Sequence, residues 1–167
     1  MIKLYVKSNC LGSQKAENFL KKNDIRFERI NLSFIPLDEE ELFKMQTVIN
    51  PNIRDIINFN SDYFNNNPES KELMMQANLR DVITFVMKNI DALSFPIAVD
   101  ADSRSGKVKS VFVGFNESEW KILNDENYSE SLDVFYTNCS KNYIFKSCCC
   151  FDEVANDNTN ILVNLDK

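Results

Sequence analysis

Histidine is absent from all 167 residues. Its absence removes the commonest general base and metal ligand near neutral pH, and with them any chemistry built on a cysteine–histidine pair. Runs of lysine and arginine are also missing, and the formal net charge is −6. The electrostatic footprint of a protein that grips a phosphate backbone by itself is therefore not present. No stretch approaches the roughly 18 consecutive apolar residues of a bilayer span, and "MIKLYVKSN" meets cysteine and polar residues too early for a secretory signal. The chain reads as cytoplasmic, with no membrane and no direct nucleic-acid partner. Its cysteines, at positions 10, 139, 148, 149 and 150, form no regular disulfide framework. A chain of this size with 44% hydrophobic content can bury one substantial core without such a framework.

Hydrophobic periodicity supplies the organisation. "IKLYV" (2–6) is short, apolar and β-prone, and leads into "SQKAENFLKKN", where Ala16, Phe19 and Leu20 share one helical face. "RFERINLS" (26–33) suits a second strand parallel to the first, which makes a right-handed βαβ unit. From about 36 to 93 the pattern is helical throughout, a helical insertion whose first helix is capped by Asp38 and has carboxylates at 39–41 in its first turn. "SFPIAVDA" and "KVKSVFVGF" then read as two antiparallel strands joined by the glycine-containing "DSRSGK", and "NESEWKIL" as a final helix capped by Asn116. Trp120, Phe112 and Phe115 are expected to pack the sheet against that helix. The predicted fold is α/β, a thioredoxin-like mixed sheet (βαβ…ββα) over 1–123 with a helical insertion, followed by a C-terminal extension, 124–167, that holds "LDVFYTNCSKNYIFKSCCCF" as a candidate extra hairpin. The adjacent cysteines 148–150 point in different directions and lack the C-x-x-C spacing that folds ligands around one metal ion.

Cys10 carries the chemical interest. A thiol at the first turn of a helix feels unpaired backbone N–H groups and the positive end of the macrodipole, and both favour a thiolate. The plainer alternative is a small buried hydrophobe. The position three residues on, where a redox partner would sit, is Ser13, so no disulfide can close within "CLGS".

The stretches "IKLYVKSNCLGSQKAENFL", "FERINLSFIPL", "LRDVITFVMKNIDALSFPIAVD" and "VFVGFNESEW" occur in an order that resembles the arsenate reductase and Spx family of thioredoxin-like proteins, and within it the Spx branch of RNA-polymerase-binding regulators. The resemblance implies a cis peptide before Pro96, beside the Cys10 loop. Glutathione- and glutaredoxin-linked arsenate reductases also carry a C-x-x-S loop, but hold the oxyanion with two arginines. The matching positions here are Phe95 and Asn60. Without fixed cationic donors, oxyanion binding is lost, and arsenate reduction is disfavoured.

The regulator branch usually has C-x-x-C in this loop, leaving Cys10 here a single thiol for a sulfenic acid, a mixed disulfide or a bond to a tail cysteine. Its polymerase contact includes a glycine whose counterpart is Asn52. The resemblance thus implies a stress-response transcription regulator that docks on the C-terminal domain of the RNA polymerase α subunit, with Asn52 at the partner contact and Cys10 as the redox-responsive thiol flanked by Ser13 and Pro96. No metal or cofactor is expected, and the balance falls against an enzyme. The alternative is a glutaredoxin-coupled, arsenate-reductase-like thiol oxidoreductase with Cys10 as nucleophile.

Overall fold

The computed structural model describes residues 1–48 and 53–124. Its sheet has the order β2-β1-β3-β4, built from β1 (Ile2–Val6), β2 (Phe27–Asn31), β3 (Ile97–Ala101) and β4 (Val108–Val113). β1 pairs parallel with β2 and antiparallel with β3, and β3 pairs antiparallel with β4. The parallel pair needs a crossover, and α1 (Leu11–Lys22) provides it. The mixed, thioredoxin-like sheet expected from the sequence is the one observed.

Side-chain alternation along the strands divides the core in two. Ile2, Leu4, Val6 and Ala98 face Ala16, Phe19 and Leu20 of α1 and Trp120 of the last helix. Tyr5, Ile97, Val99 and Val108 face the opposite way, into a larger cluster with Leu42, Met45, Phe64, Val82 and Val86 of the insertion. The result is a sheet between two helical layers.

The insertion comprises α2 (Glu39–Gln46), a 3₁₀ turn at Ile53–Ile56, α3 (Asp62–Asn66), α4 (Pro68–Gln76), α5 (Leu79–Lys88) and a second 3₁₀ turn at Ile90–Ala92. Asp38 caps α2 by accepting from the Glu40 N–H, and Asn78 caps α5 by accepting from that of Asp81. Arg54 clamps this layer: its Nε donates to the Met74 carbonyl at 2.9 Å, and its Nη2 donates to the Ala77 carbonyl. These carbonyls belong to the C-terminal end of α4, where orphan acceptors need donors.

The β3–β4 turn is organised by Asp102, which accepts from the backbone N–H groups of Ser105 and Arg104 and from the Ser105 hydroxyl. These donors hold its carboxyl below the ordinary range. Gly106 follows with φ +68°, a left-handed conformation that glycine adopts without strain. The chain then enters α6 (Glu117–Trp120), capped by Asn116, and a 3₁₀ turn at Lys121–Asn124. The tightening to 3₁₀ shortens the last helix relative to its sequence pattern. Trp120 makes edge contacts with Phe19 and Phe115 and a tilted contact with Phe112, as the sequence anticipated.

Candidate functional site

The thiol sits where β1 hands over to α1. Asn9 takes φ 60°, a left-handed conformation that asparagine tolerates, and turns the chain so that Cys10 becomes the N-cap of α1 in extended backbone geometry. The helix starts at Leu11, two residues before its sequence pattern begins, because Gly12 and Ser13 both fit the first turn. At its far end, Asp24 takes φ 53° and the Ile25 N–H donates to the Leu20 carbonyl, a Schellman-type stop. Both ends of the helix that carries Cys10 are thus fixed by local backbone chemistry. Ala16, Phe19 and Leu20 fix its inner face.

Cys10 is half-buried and packs against the larger core cluster. Its carbonyl accepts from the Gln14 N–H at 3.1 Å, the first helical bond. Ser13 is 3% exposed, and its hydroxyl has no hydrogen-bond partner among the described residues. Residues three apart share a helical face, so this unused hydroxyl lies one turn along the face of Cys10. The loop's lysine, Lys7, is engaged with Asp91 at 2.8 Å.

Pro96 is buried immediately before β3, behind a cis Phe95–Pro96 peptide, and its carbonyl accepts from the Gly114 N–H at 2.8 Å. Because Tyr5 is opposite Ile97, the end of β1 that leads to Cys10 and the start of β3 at Pro96 share one end of the sheet. The structure brings these two predicted residues to that end, with Ser13 on the adjoining helix. Asn52 is not among the described residues, nor are Cys139 and Cys148–Cys150.

The rim of the Cys10 loop is apolar. The Asn31 side chain donates to the Ser8 hydroxyl at 3.0 Å, and the Ser8 N–H donates to the Ser33 hydroxyl at 3.2 Å. These bonds seat the turn after β2 beside the loop, and that turn presents Phe34, 80% exposed, and Ile35, 55% exposed. Leu11, next to Cys10, is 57% exposed. Sequence reasoning missed this rim, because an apolar pair between a strand and a helix reads as core until a side-chain hydrogen bond places it. A cavity of about 210 Å³ bounded by Lys3, Tyr5, Glu41, Lys44 and Val108 lies at the opposite end of the sheet, away from the thiol.

The two positions that the resemblance matches to the oxyanion-binding arginines, Phe95 and Asn60, lie in different surroundings. Phe95 is 3% exposed and belongs to the insertion-side core. Asn60 lies in an exposed turn, its N–H bonded to Asn58 Oδ1 at 3.1 Å. Neither offers a cation.

No family model matches the chain. Among curated proteins it is 27% identical over 128 residues to the global transcriptional regulator Spx of Streptococcus pyogenes serotype M3, which covers 77% of this chain and 88% of the relative. The Spx regulators of Streptococcus agalactiae serotype V and Streptococcus mutans match the same share of the chain, at 27% and 26% identity and over 86% of their own lengths. The chain resembles the arsenate reductase and Spx family.

The solved structures bear on the fold. An ArsC family related protein from Bacteroides fragilis superposes with a TM-score of 0.60 at 20% identity, over 73% of this chain and 97% of that one. An arsenate reductase related protein from Brucella melitensis gives 0.51 at 18%, over 72% and 91%. At these identities the likeness to the ArsC-related structures concerns architecture alone. Among the described residues, no helix is long and apolar enough to cross a membrane.

Proposed function

We propose that the chain is an Spx-like transcription regulator that binds RNA polymerase through the C-terminal domain of the polymerase α subunit, in the cytoplasm, with Cys10 as its redox-responsive thiol. The observation that carries this reading is the similarity to Spx regulators across nearly nine-tenths of their length. Two features of the molecule agree with it. The net charge of −6 suits a protein that reaches promoters through a protein partner and not through phosphate contacts. The Cys10 end of the sheet carries an exposed apolar rim, and the lysine of its loop, Lys7, is paired with Asp91 at 2.8 Å.

The reductase alternative is the weaker reading. Arg54 is the arginine of the insertion's first 3₁₀ turn, and its guanidinium is spent on the carbonyls of Met74 and Ala77. An arginine placed at Phe95 would bury a charge in the core.

The test is co-purification from a native lysate together with a gel shift on promoter DNA. The expected outcome is retention of RNA polymerase and no shift by the protein alone. Loss of polymerase retention, or tight salt-sensitive binding to naked DNA, overturns the reading.

A further inference from the structure

We propose that the groove between α4 and α5 is a docking site for a cationic amphipathic helix of a partner protein. The inference concerns the helical insertion and does not depend on polymerase binding.

α4 is a helix of 9 residues in which none is buried. Surface helices are ordinarily stabilised by burying an apolar face against the core, and α4 makes little use of that source. Arg54 attaches it instead, through the carbonyls of Met74 and Ala77, two residues that pack only partly buried against the insertion-side core. The apolar surface that α4 does carry is turned outward: Leu73 is 65% exposed and Met75 56% exposed. Leu79, the first residue of α5, is 40% exposed.

Ala77 and Asn78 join α4 to α5, and residues of both helices line an open groove of about 630 Å³. Its apolar lining is Leu73, Met74 and Ala77, and its charged lining is Glu69, Glu72 and Asp81. Every charge that lines it is therefore negative, and the neighbouring cations Lys71 and Arg80 do not contribute. Among the described residues, no lysine or arginine forms an ion pair with any of the three carboxylates. Glu69, Glu72 and Leu73 lie three and four residues apart on one face of α4, so charge and apolar surface are offered side by side.

That combination selects the occupant. An anionic membrane, a nucleic acid or a second copy of this chain, whose net charge is −6, would meet like charges at the groove. A small cation alone would leave the leucine and methionine in water. A helix with an apolar face flanked by lysine or arginine satisfies both requirements, covering Leu73 and Met74 while its cations reach the carboxylates. Unbranched methionine side chains repack readily against such a face.

The test titrates the full chain into a fluorescein-labelled peptide of about 18 residues, with leucine on one helical face and lysine on the other, and follows anisotropy. A peptide with glutamate in place of lysine is the control. The lysine peptide should bind saturably and weaken about tenfold between about 0.05 M and about 0.3 M salt, and the glutamate peptide should not bind. Leu73→Gln, at an exposed position where a helix former replaces another, should weaken binding about tenfold. Glu69→Gln combined with Glu72→Gln should weaken it about fivefold at low salt. Phe34→Ser, 80% exposed and outside the groove, should change it less than about twofold. Hydrogen exchange should show peptide-dependent protection in α4 and α5. Absence of binding, protection confined to other elements, equal binding by the Leu73→Gln variant, or equal binding of the glutamate peptide would each overturn the proposal. A dimer in sedimentation that Leu73→Gln dissociates would also overturn it, by assigning the groove to a second copy. Polymerase retention is read separately on the unaltered protein, so failure of one reading is distinguishable from failure of the other.

Discussion

Replacing Phe19 tests whether the aromatic cluster beneath α1 holds the Cys10 helix on the sheet. The Phe19 ring is 8% exposed, with its centroid 5.8 Å from that of Phe115 at 59° and 6.2 Å from that of Trp120 at 85°. Truncating a buried phenylalanine to alanine costs about 3–5 kcal/mol through lost burial and the cavity left behind. Each edge or tilted ring pair adds about 0.5–1.5 kcal/mol beyond its area. Phe19→Ala should therefore cost about 4 kcal/mol. Phe19→Leu, which keeps most of the apolar volume and loses only the ring pairs, should cost about 1–2 kcal/mol. Trp120 is the chain's single tryptophan and lies in this cluster, so its fluorescence during urea unfolding reports the site directly, with far-UV circular dichroism as a second probe. A midpoint shift without a change in slope is expected. An alanine variant within about 1 kcal/mol of the parent, or a leucine variant as damaged as the alanine one, would refute the claim that this cluster anchors α1.

Two further perturbations address the insertion. Arg54→Ala should raise hydrogen exchange through α4 and cost about 2–3 kcal/mol, the range for hydrogen bonds to a charged donor, and Arg54→Lys should recover less than half because an ammonium cannot reproduce the fork. Unchanged exchange in α4 would show that the clamp is incidental. Burial pushes the Asp55 carboxyl above its ordinary value of 3.8, so the fold favours the protonated acid, and that stabilisation is lost as pH rises through the folded pKa. Asp55→Asn should therefore unfold at higher urea than the parent at pH 7, by under about 1 kcal/mol for a half-exposed group, with the difference vanishing below pH 3.8. A difference that grows on acidification would reverse the assignment.

The fold was legible because its periodicities are unmixed. "IKLYV" alternates two faces and both are used, and Ala16, Phe19 and Leu20 are buried as their spacing requires. Asp38 and Asn116 cap helices as side chains that accept from an N–H two residues on. What escaped was set by three-dimensional context. The start of α1 at Leu11 depends on the left-handed Asn9, which no hydrophobic pattern encodes. The role of Arg54 is not legible in the sequence, because its acceptors are twenty or more residues away. Phe34 and Ile35 carry no signal of exposure in the sequence pattern. Their exposure follows from the Asn31–Ser8 and Ser8–Ser33 bonds, and with Leu11 they give the Cys10 loop its apolar rim.

The central claim is that this Spx-like chain acts by binding polymerase. Calorimetric titration of the purified C-terminal domain of the RNA polymerase α subunit with the reduced full-length protein tests it most directly. The account predicts saturable one-to-one binding that persists in Cys10→Ser, because docking needs a complementary surface and not the thiol. Absence of binding tighter than about 1 mM, with both proteins folded, would contradict it.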